Sequence, residues 1–190
     1  GLKNYTNVYT CNYSTAGCTE GNATLLSSTW NLYDGSTAYN GAPTTGFLTG
    51  QRQFLRWNNS DPRYKDTRMY YDEWGNVTSI VAYKGEGSFS SFGQGESITT
   101  SFSYNDRFHT YLLSETNPLH PATTWTYNLY FGKPDSELGP NGEATKIRVQ
   151  YDTFGRVTRV CMPGDTMSLC DFGAFSYTPS YLLFFYDDSQ

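Results

Sequence analysis

The 190-residue chain carries 13 basic and 18 acidic residues, a formal charge of -5, and 17% of its residues are aromatic. That balance offers no electrostatic footprint for a phosphate backbone, which argues against nucleic acid as a partner. No apolar run approaches the roughly 20 residues a membrane-spanning helix needs, so membrane insertion is not expected. The 17 Tyr, 12 Phe and 4 Trp instead stand among abundant Thr, Ser, Asn and Gly, the chemistry of sheets and turns.

The chain opens without a methionine or a charged-then-apolar leader, which suits either a removed signal peptide or an excerpt of something longer. Its first 29 residues hold "CNYSTAGC", with Cys11 and Cys18, and a later segment, "CMPGDTMSLC", holds Cys161 and Cys170. Two close pairs suit two local disulfides in an oxidising compartment better than a zinc site, which favours two-residue spacings. Asn4, Asn12, Asn22, Asn58 and Asn76 each begin an Asn-x-Ser/Thr sequon, a candidate N-glycosylation site if the chain is exported. Both features point to an extracellular or cell-surface setting.

Further along, apolar and polar residues alternate with period two, and no 3.6-residue apolar stripe appears. Short strands are expected around 66 to 72, 77 to 83, 97 to 104, 110 to 116, 122 to 129, 144 to 151 and 172 to 178. In the sixth of these, Thr145, Ile147, Val149 and Tyr151 share one face and Lys146, Arg148 and Gln150 the other. "YLLFFY" at 181 to 186 also has strand length. Turn-forming segments such as "DEWGN", "PNGE" and "DTFGR" separate the strands, so the fold class is all-β, built of antiparallel hairpins. The Gly/Ser-rich "GEGSFSSFGQGES", residues 85 to 97, matches no phosphate loop and reads as a flexible loop.

Two stretches nearly repeat: "YDEWGNVTSI" from Tyr71 and "YDTFGRVTRV" from Tyr151. In each, Asp72 or Asp152 suits the first position of a tight turn, where its carboxylate accepts a main-chain N–H two residues on. Gly75 or Gly155 suits the left-handed position that follows. Tyr151 is expected to lay its ring on the sheet with its hydroxyl toward a wet edge, and Arg156 to pair with the Asp or stack on a Tyr. Looser copies start at Tyr104, "YNDRFHTY", and Tyr127, "YNLYFGKP", the latter keeping Phe131, Gly132 and Lys133; Tyr33, Asp34 and Gly35 mark a further degenerate unit. The starts at 71, 104, 127 and 151 step by 33, 23 and 24, a period that signals stacked supersecondary units, each too small to bury its own apolar face.

The Tyr-Asp-x-x-Gly-Arg/Asn-Val-Thr wording resembles the YD repeats of Rhs and related proteins. "LYDGSTAYNGAPTTGFLTGQR", "TNPL" and "PNGEATKIRVQYDTFGRVTRVCMPGD" are similar to the surrounding text of bacterial members, and the resemblance covers residues 30 to 166. It implies a YD-repeat spiral sheet of stacked hairpins, which in Rhs proteins, toxin-complex subunits and teneurins winds into a hollow shell. In the toxin families that shell encloses a cargo domain. On this reading Tyr71, Asp72, Gly75, Tyr104, Tyr127, Gly132, Tyr151, Asp152, Gly155 and Arg156 are structural, not catalytic. Asn76 departs from the family by standing where Arg is usual. The expected organisation is a Cys-containing segment at 1–29, a repeat array at 30–166 and a worn terminal unit with edge strands at 167–190. The expected role is the wall of a β shell or the shaft of an extracellular filament. Its partners would be further repeats of the same or a longer chain, an encapsulated cargo or surface glycans.

Chemistry is sparse. His109 and His120, the only histidines, have no nucleophile or acid pattern beside them. The acid pairs Asp72 and Glu73, Asp135 and Glu137, and Asp187 and Asp188 lie in turns, loops or on opposite strand faces, with "KPDSELGP" read as a loop. No enzyme, cofactor or metal is expected. The alternative is a carbohydrate-binding or adhesive β-module, its platform made by Trp30, Trp57, Trp74 and Trp125.

Overall fold

The computed structural model describes residues 5–10, 24–37, 41–163 and 181–184. It is all-β. The strands are β1 (Tyr5–Thr10), β2 (Thr24–Tyr33), β3 (Leu48–Asn58), β4 (Asp61–Tyr71), β5 (Val77–Tyr83), β6 (Ser97–Tyr104), β7 (Leu112–Asn117), β8 (His120–Asn128), β9 (Lys133–Leu138), β10 (Ile147–Tyr151), β11 (Val157–Cys161) and β12 (Tyr181–Leu183). Strands adjacent in the chain pair antiparallel, β1 through β5 and then β6 through β12, as meanders of hairpins. Helix is confined, among the described residues, to one 3₁₀ turn, Gly142–Thr145.

The chain falls into two compact units, Gly1–Thr100 and Ser101–Gln190. In the first, β3 and β4 are the longest strands at 11 residues each. Asn59 and Ser60 join them in a two-residue turn with φ of 48° and 70°, a pairing that matches the right-handed twist of the strands. Register then sets Phe54 against Tyr64 and Arg52 against Asp66. The core of this unit, Leu32, Phe54 and Tyr64 with Ser28, Arg52 and Asp66, lies on the face that the β5–β6 connection covers.

That connection is not the flexible loop its composition suggests. Tyr64 and Gly87 exchange both main-chain hydrogen bonds, Ser88 and Ser91 close a turn, and Gly93 donates to the Asp66 carboxylate. The glycines permit close approach: a Cβ on Gly87 would sit 2.0 Å from Asp66 Oδ2, and one on Gly93 2.3 Å from the Gly85 carbonyl oxygen. Glycine here serves packing rather than mobility.

In the second unit the burial differs. Among its described residues only Gly155 and Cys161 are buried, and the other strand residues whose burial is described are half-exposed or exposed. A single sheet without a second layer gains little from its own contacts.

Several strand boundaries shift from those read in the sequence. The strand expected at 144–151 begins at Ile147, because Gly142 (φ 77°) and a Thr145 hydroxyl bond to the Gly142 carbonyl close a 3₁₀ turn instead. "KPDSELGP" is not a loop: Lys133–Leu138 is β9, with Asp135 on it. Strands β2 and β3 carry no clear period-two signal, their polar residues hiding the alternation. The strand expected at 172–178 lies outside the described residues, as do Cys11, Cys18, Cys170, Asn4, Asn12, Asn22, Asp187 and Asp188.

Candidate functional site

Five hairpins share one construction at their Tyr-Asp or Tyr-Asn ends: β2–β3, β4–β5, β6–β7, β8–β9 and β10–β11. In four of them the strand ends on the motif tyrosine, in β8 one residue after it at Asn128, and in all five the register slips at the tyrosine by one residue. Tyr33, Tyr71, Tyr104, Tyr127 and Tyr151 pair with Leu48, Val77, Leu112, Pro134 and Val157. The partner strand thus carries one extra residue each time, a β-bulge that bends the hairpin and tightens its twist. The sequence repeat is therefore also a repeat of backbone geometry.

The next residue caps the turn. Asp72 Oδ1 accepts from Trp74 N at 3.0 Å and Asn76 N at 2.8 Å, while Gly75 N closes on the Asp72 carbonyl. Asp152 Oδ1 accepts from Phe154 N at 2.9 Å and Arg156 N at 2.8 Å in the same way. In the looser copies the amides of Asn105 and Asn128 do the work, accepting from Arg107 and Phe108 and from Tyr130 and Phe131. The left-handed position that ends the turn is Gly75 (φ 88°), Gly132 (φ 65°) or Gly155 (φ 75°), and His109 (φ 52°) in the copy that lacks glycine. His109 thus serves the backbone, while His120 lies exposed with its ring against the Pro121 carbonyl.

Asn76 keeps the turn despite replacing arginine. Its Nδ2 donates to Asp72 Oδ2 at 2.9 Å, just as Arg156 Nε donates to Asp152 Oδ2 at 2.6 Å. Arg156 also lies over the ring of Phe154, 5.1 Å from its centroid. Because the Asn76 amide nitrogen is engaged, a glycan there would cost the turn that bond; Asn58, at the exposed β3–β4 turn, has its side chain in solvent.

Asp34 is the most heavily solvated by protein. Its carboxylate accepts from the main-chain N–H groups of Thr44, Thr45, Gly46 and Phe47 and from both threonine hydroxyls, closing the segment between β2 and β3. The Thr45 hydroxyl, and then the Gly46 N–H, hold this carboxyl far below the ordinary range. For Asp72 and Asp152 partial desolvation pushes the pKa up, but the donors of Asn76 and Trp74, and of Arg156 and Phe154, outweigh it and leave both lowered.

Three of these turns, those of Tyr71, Tyr127 and Tyr151, are fastened to the hairpin before them. An aromatic residue just before the returning strand, Phe47, Tyr111 or Phe131, reaches the motif of the following hairpin. Phe47 stacks on Tyr71 with centroids 4.8 Å apart, while Tyr111 meets Tyr127 at 4.9 Å and Phe131 meets Tyr151 at 6.1 Å in tilted contacts. The same three side chains lie against the motif glycines. A Cβ built on Gly75, Gly132 or Gly155 would come within 3.2 Å of Phe47, 2.8 Å of the Tyr111 hydroxyl and 2.8 Å of Phe131. At Gly155 glycine is required twice over, by φ and by the ring beneath it; at Gly75 and Gly132 φ carries the requirement and the neighbouring ring or hydroxyl adds to it.

The motif tyrosines complete the link. Tyr71 Oη donates to the Leu48 carbonyl at 2.9 Å, and Tyr151 Oη to the Pro134 carbonyl at 2.6 Å. Leu48 and Pro134 are the residues paired with the preceding motif tyrosines, so the two bonds are equivalent. The Tyr151 hydroxyl is bonded there in a solvent-exposed position, as its expected place at a wet edge allows. Burial raises the pKa of Tyr71, Tyr127 and Tyr151, as it does for rings wedged between hairpins. Lys133 adds a bond from Nζ to the Gly155 carbonyl at 2.7 Å.

The first unit carries one further constellation that no sequence signal announced. Arg52 and Asp66 form a bidentate pair, at 2.9 Å and 3.2 Å, with side chains 3% and 0% exposed. Arg52 Nη2 also donates to the carbonyls of Ser88 and Ser91 at 2.6 Å and 2.7 Å, and the guanidinium lies 4.6 Å from the Tyr64 ring centroid and 4.7 Å from that of Phe92. The pair clamps the 84–96 connection onto the sheet.

Cys161 is disulfide-bonded. Among the described residues no group of three or more His, Cys, Asp or Glu could hold a metal ion. The acids Asp72, Asp135 and Asp152 are each engaged, Asp135 by the Thr126 hydroxyl. Of the four tryptophans, Trp30 and Trp57 meet in one cleft; Trp74 sits at the β4–β5 turn and Trp125 on β8. No family model and no curated protein matched the chain.

Proposed function

We propose that this chain is a non-catalytic YD-repeat segment of an exported or cell-surface protein, serving as wall of a β shell or shaft of an extracellular filament. The observation that carries the reading is the fastening of hairpin to hairpin. The same aromatic-on-glycine and ring-on-tyrosine contact recurs at Phe47, Tyr111 and Phe131, each binding one unit of the repeat to the next. A device that grips only its neighbour builds arrays, and three of the five hairpins, β2–β3, β6–β7 and β8–β9, present the aromatic that the following one uses.

The half-exposed faces of β7 to β11 support the same reading, because such a sheet gains stability chiefly by extension or by cover from other elements. The disulfide at Cys161 fits an oxidising compartment. The motif carboxylates are saturated with main-chain donors, which suits turn capping and leaves them poor acids or bases.

Electron microscopy of the native material tests the proposal. A sheet running on through successive repeats, as closed hollow particles or as fibres, is the expected result. Discrete globular particles of the size of this chain would overturn it.

A further inference from the structure

A cleft of 580 Å³ opens on the first unit between β2 and the β3–β4 turn. Its aromatic surface comes from Trp30, Trp57, Tyr64 and Phe89, and its polar rim includes Asn59 and Asp61. Trp30 and Tyr64 pack together with centroids 4.9 Å apart, and Phe89 stands edge-on to Trp30 at 5.8 Å. Trp57 rests its ring edge on Phe54 at 5.6 Å and remains 55% exposed, while Phe89 is 59% exposed. Two large rings so open beside a polar rim form an amphipathic surface, with flat apolar faces below and planar amide and carboxylate groups above.

The cleft is built rather than incidental. Its floor, Tyr64, is 3% exposed and tied to Gly87 by two main-chain bonds. The wall that carries Phe89 is bolted down by Arg52 through the Ser88 and Ser91 carbonyls, and Phe89 N donates to Asp61 Oδ1 at 3.2 Å. The opposite wall is the tight Asn59–Ser60 turn, whose two left-handed residues fix its path. A volume between about 300 and 1,000 Å³ with such walls is that of a preformed ligand site.

We infer that this cleft binds a neutral saccharide. A pyranose ring has one apolar C–H face and a rim of hydroxyls. The first fits an exposed indole such as Trp57, and the second fits acceptors and donors such as Asp61 and Asn59. Among the described residues no lysine or arginine lines the cleft, and its one carboxylate, Asp61, is paired with Arg63 at 3.5 Å, so the lining offers no net positive charge to an anionic sugar and suits a neutral one. The inference is independent of the repeat-array reading and leaves it intact if it fails.

The test is a glycan array followed by tryptophan-fluorescence titration with the soluble oligosaccharide that scores highest, on full-length protein stripped of N-glycans. Saturable binding to uncharged oligosaccharides is expected, weakened roughly tenfold or more by Trp57→Ala and restored in part by Trp57→Phe. Trp74→Ala removes an equally exposed indole outside the cleft, 56% exposed, and should leave binding unchanged. Matching melting curves for the variants confirm that the fold survives. Binding indifferent to Trp57→Ala, binding confined to sialylated or sulfated glycans, or no saturable binding to any glycan would overturn the assignment.

Discussion

Replacing Asp66 by Asn is expected to cost the first unit more stability than any exposed substitution. The change leaves the Arg52 guanidinium buried, with side chain 3% exposed, and removes the charge that neutralises it at 2.9 Å and 3.2 Å. It also weakens the acceptor for Gly93 N at 2.8 Å. Breaking one partner of a buried pair costs about 3–5 kcal/mol, because the remaining charge is stranded away from water. For a unit of this size each kcal/mol lowers Tm by about 4–8 °C, so a fall of about 12 °C or more is expected by calorimetry. Arg52→Met with Asp66→Leu removes both charges and should be less destabilised than the sum of the single changes, by a coupling of about 1–3 kcal/mol. In both single variants, amides of residues 84–96 should exchange faster, since the clamp holds that connection to the sheet. A drop in Tm below about 4 °C for Asp66→Asn, with unchanged exchange in the connection, would refute the reasoning.

Two further outcomes follow from the turns. Gly155→Ala and Gly35→Ala both place alanine in a left-handed position, φ 75° and 76°, at a cost of about 1–2 kcal/mol each. Only at Gly155 does the new Cβ meet a ring, Phe131 at 2.8 Å, with nothing within 4 Å at Gly35, so Gly155→Ala should exceed Gly35→Ala by about 1–3 kcal/mol in denaturant titrations. Stability should also fall at both extremes of pH. The folded pKa values of Asp34, Asp72 and Asp152 lie below the ordinary 3.8, so their contribution is complete above that value and is lost as pH falls through the folded values. Those of Tyr64, Tyr71, Tyr127 and Tyr151 lie above the ordinary 10.0, so their contribution is complete below pH 10 and is lost as pH rises through the folded values. Melting temperatures scanned across pH check this; Asp34→Asn should flatten the acid limb.

The turns were legible because their information is local. Asp72 and Gly75, or Asp152 and Gly155, act within five residues, and side chain, φ and hydrogen bond are fixed by neighbours in the chain. What each turn does to the hairpin before it was not legible. Phe47 lies 24 positions before Tyr71 and meets it only once the meander has set the strands side by side. An aromatic followed by leucine, Phe47 with Leu48 and Tyr111 with Leu112, is the trace it leaves in the sequence. The Arg52–Asp66 clamp depends on register, which the Asn59–Ser60 turn sets and composition does not. The same clamp explains why a Gly/Ser-rich connection is packed: its glycines are small where the ion pair needs room, and its carbonyls satisfy the guanidinium.

Hydrogen exchange in a Tyr151→Phe variant most directly tests whether consecutive hairpins are fastened as units of one array. The substitution removes only the hydroxyl that donates to the Pro134 carbonyl at 2.6 Å, a contact between β10 and the returning strand of the hairpin before it. Faster exchange in both β8–β9 and β10–β11, in native-state measurements on the intact chain, is the predicted result. Acceleration confined to β10–β11, with β8–β9 protected as before, would contradict the account.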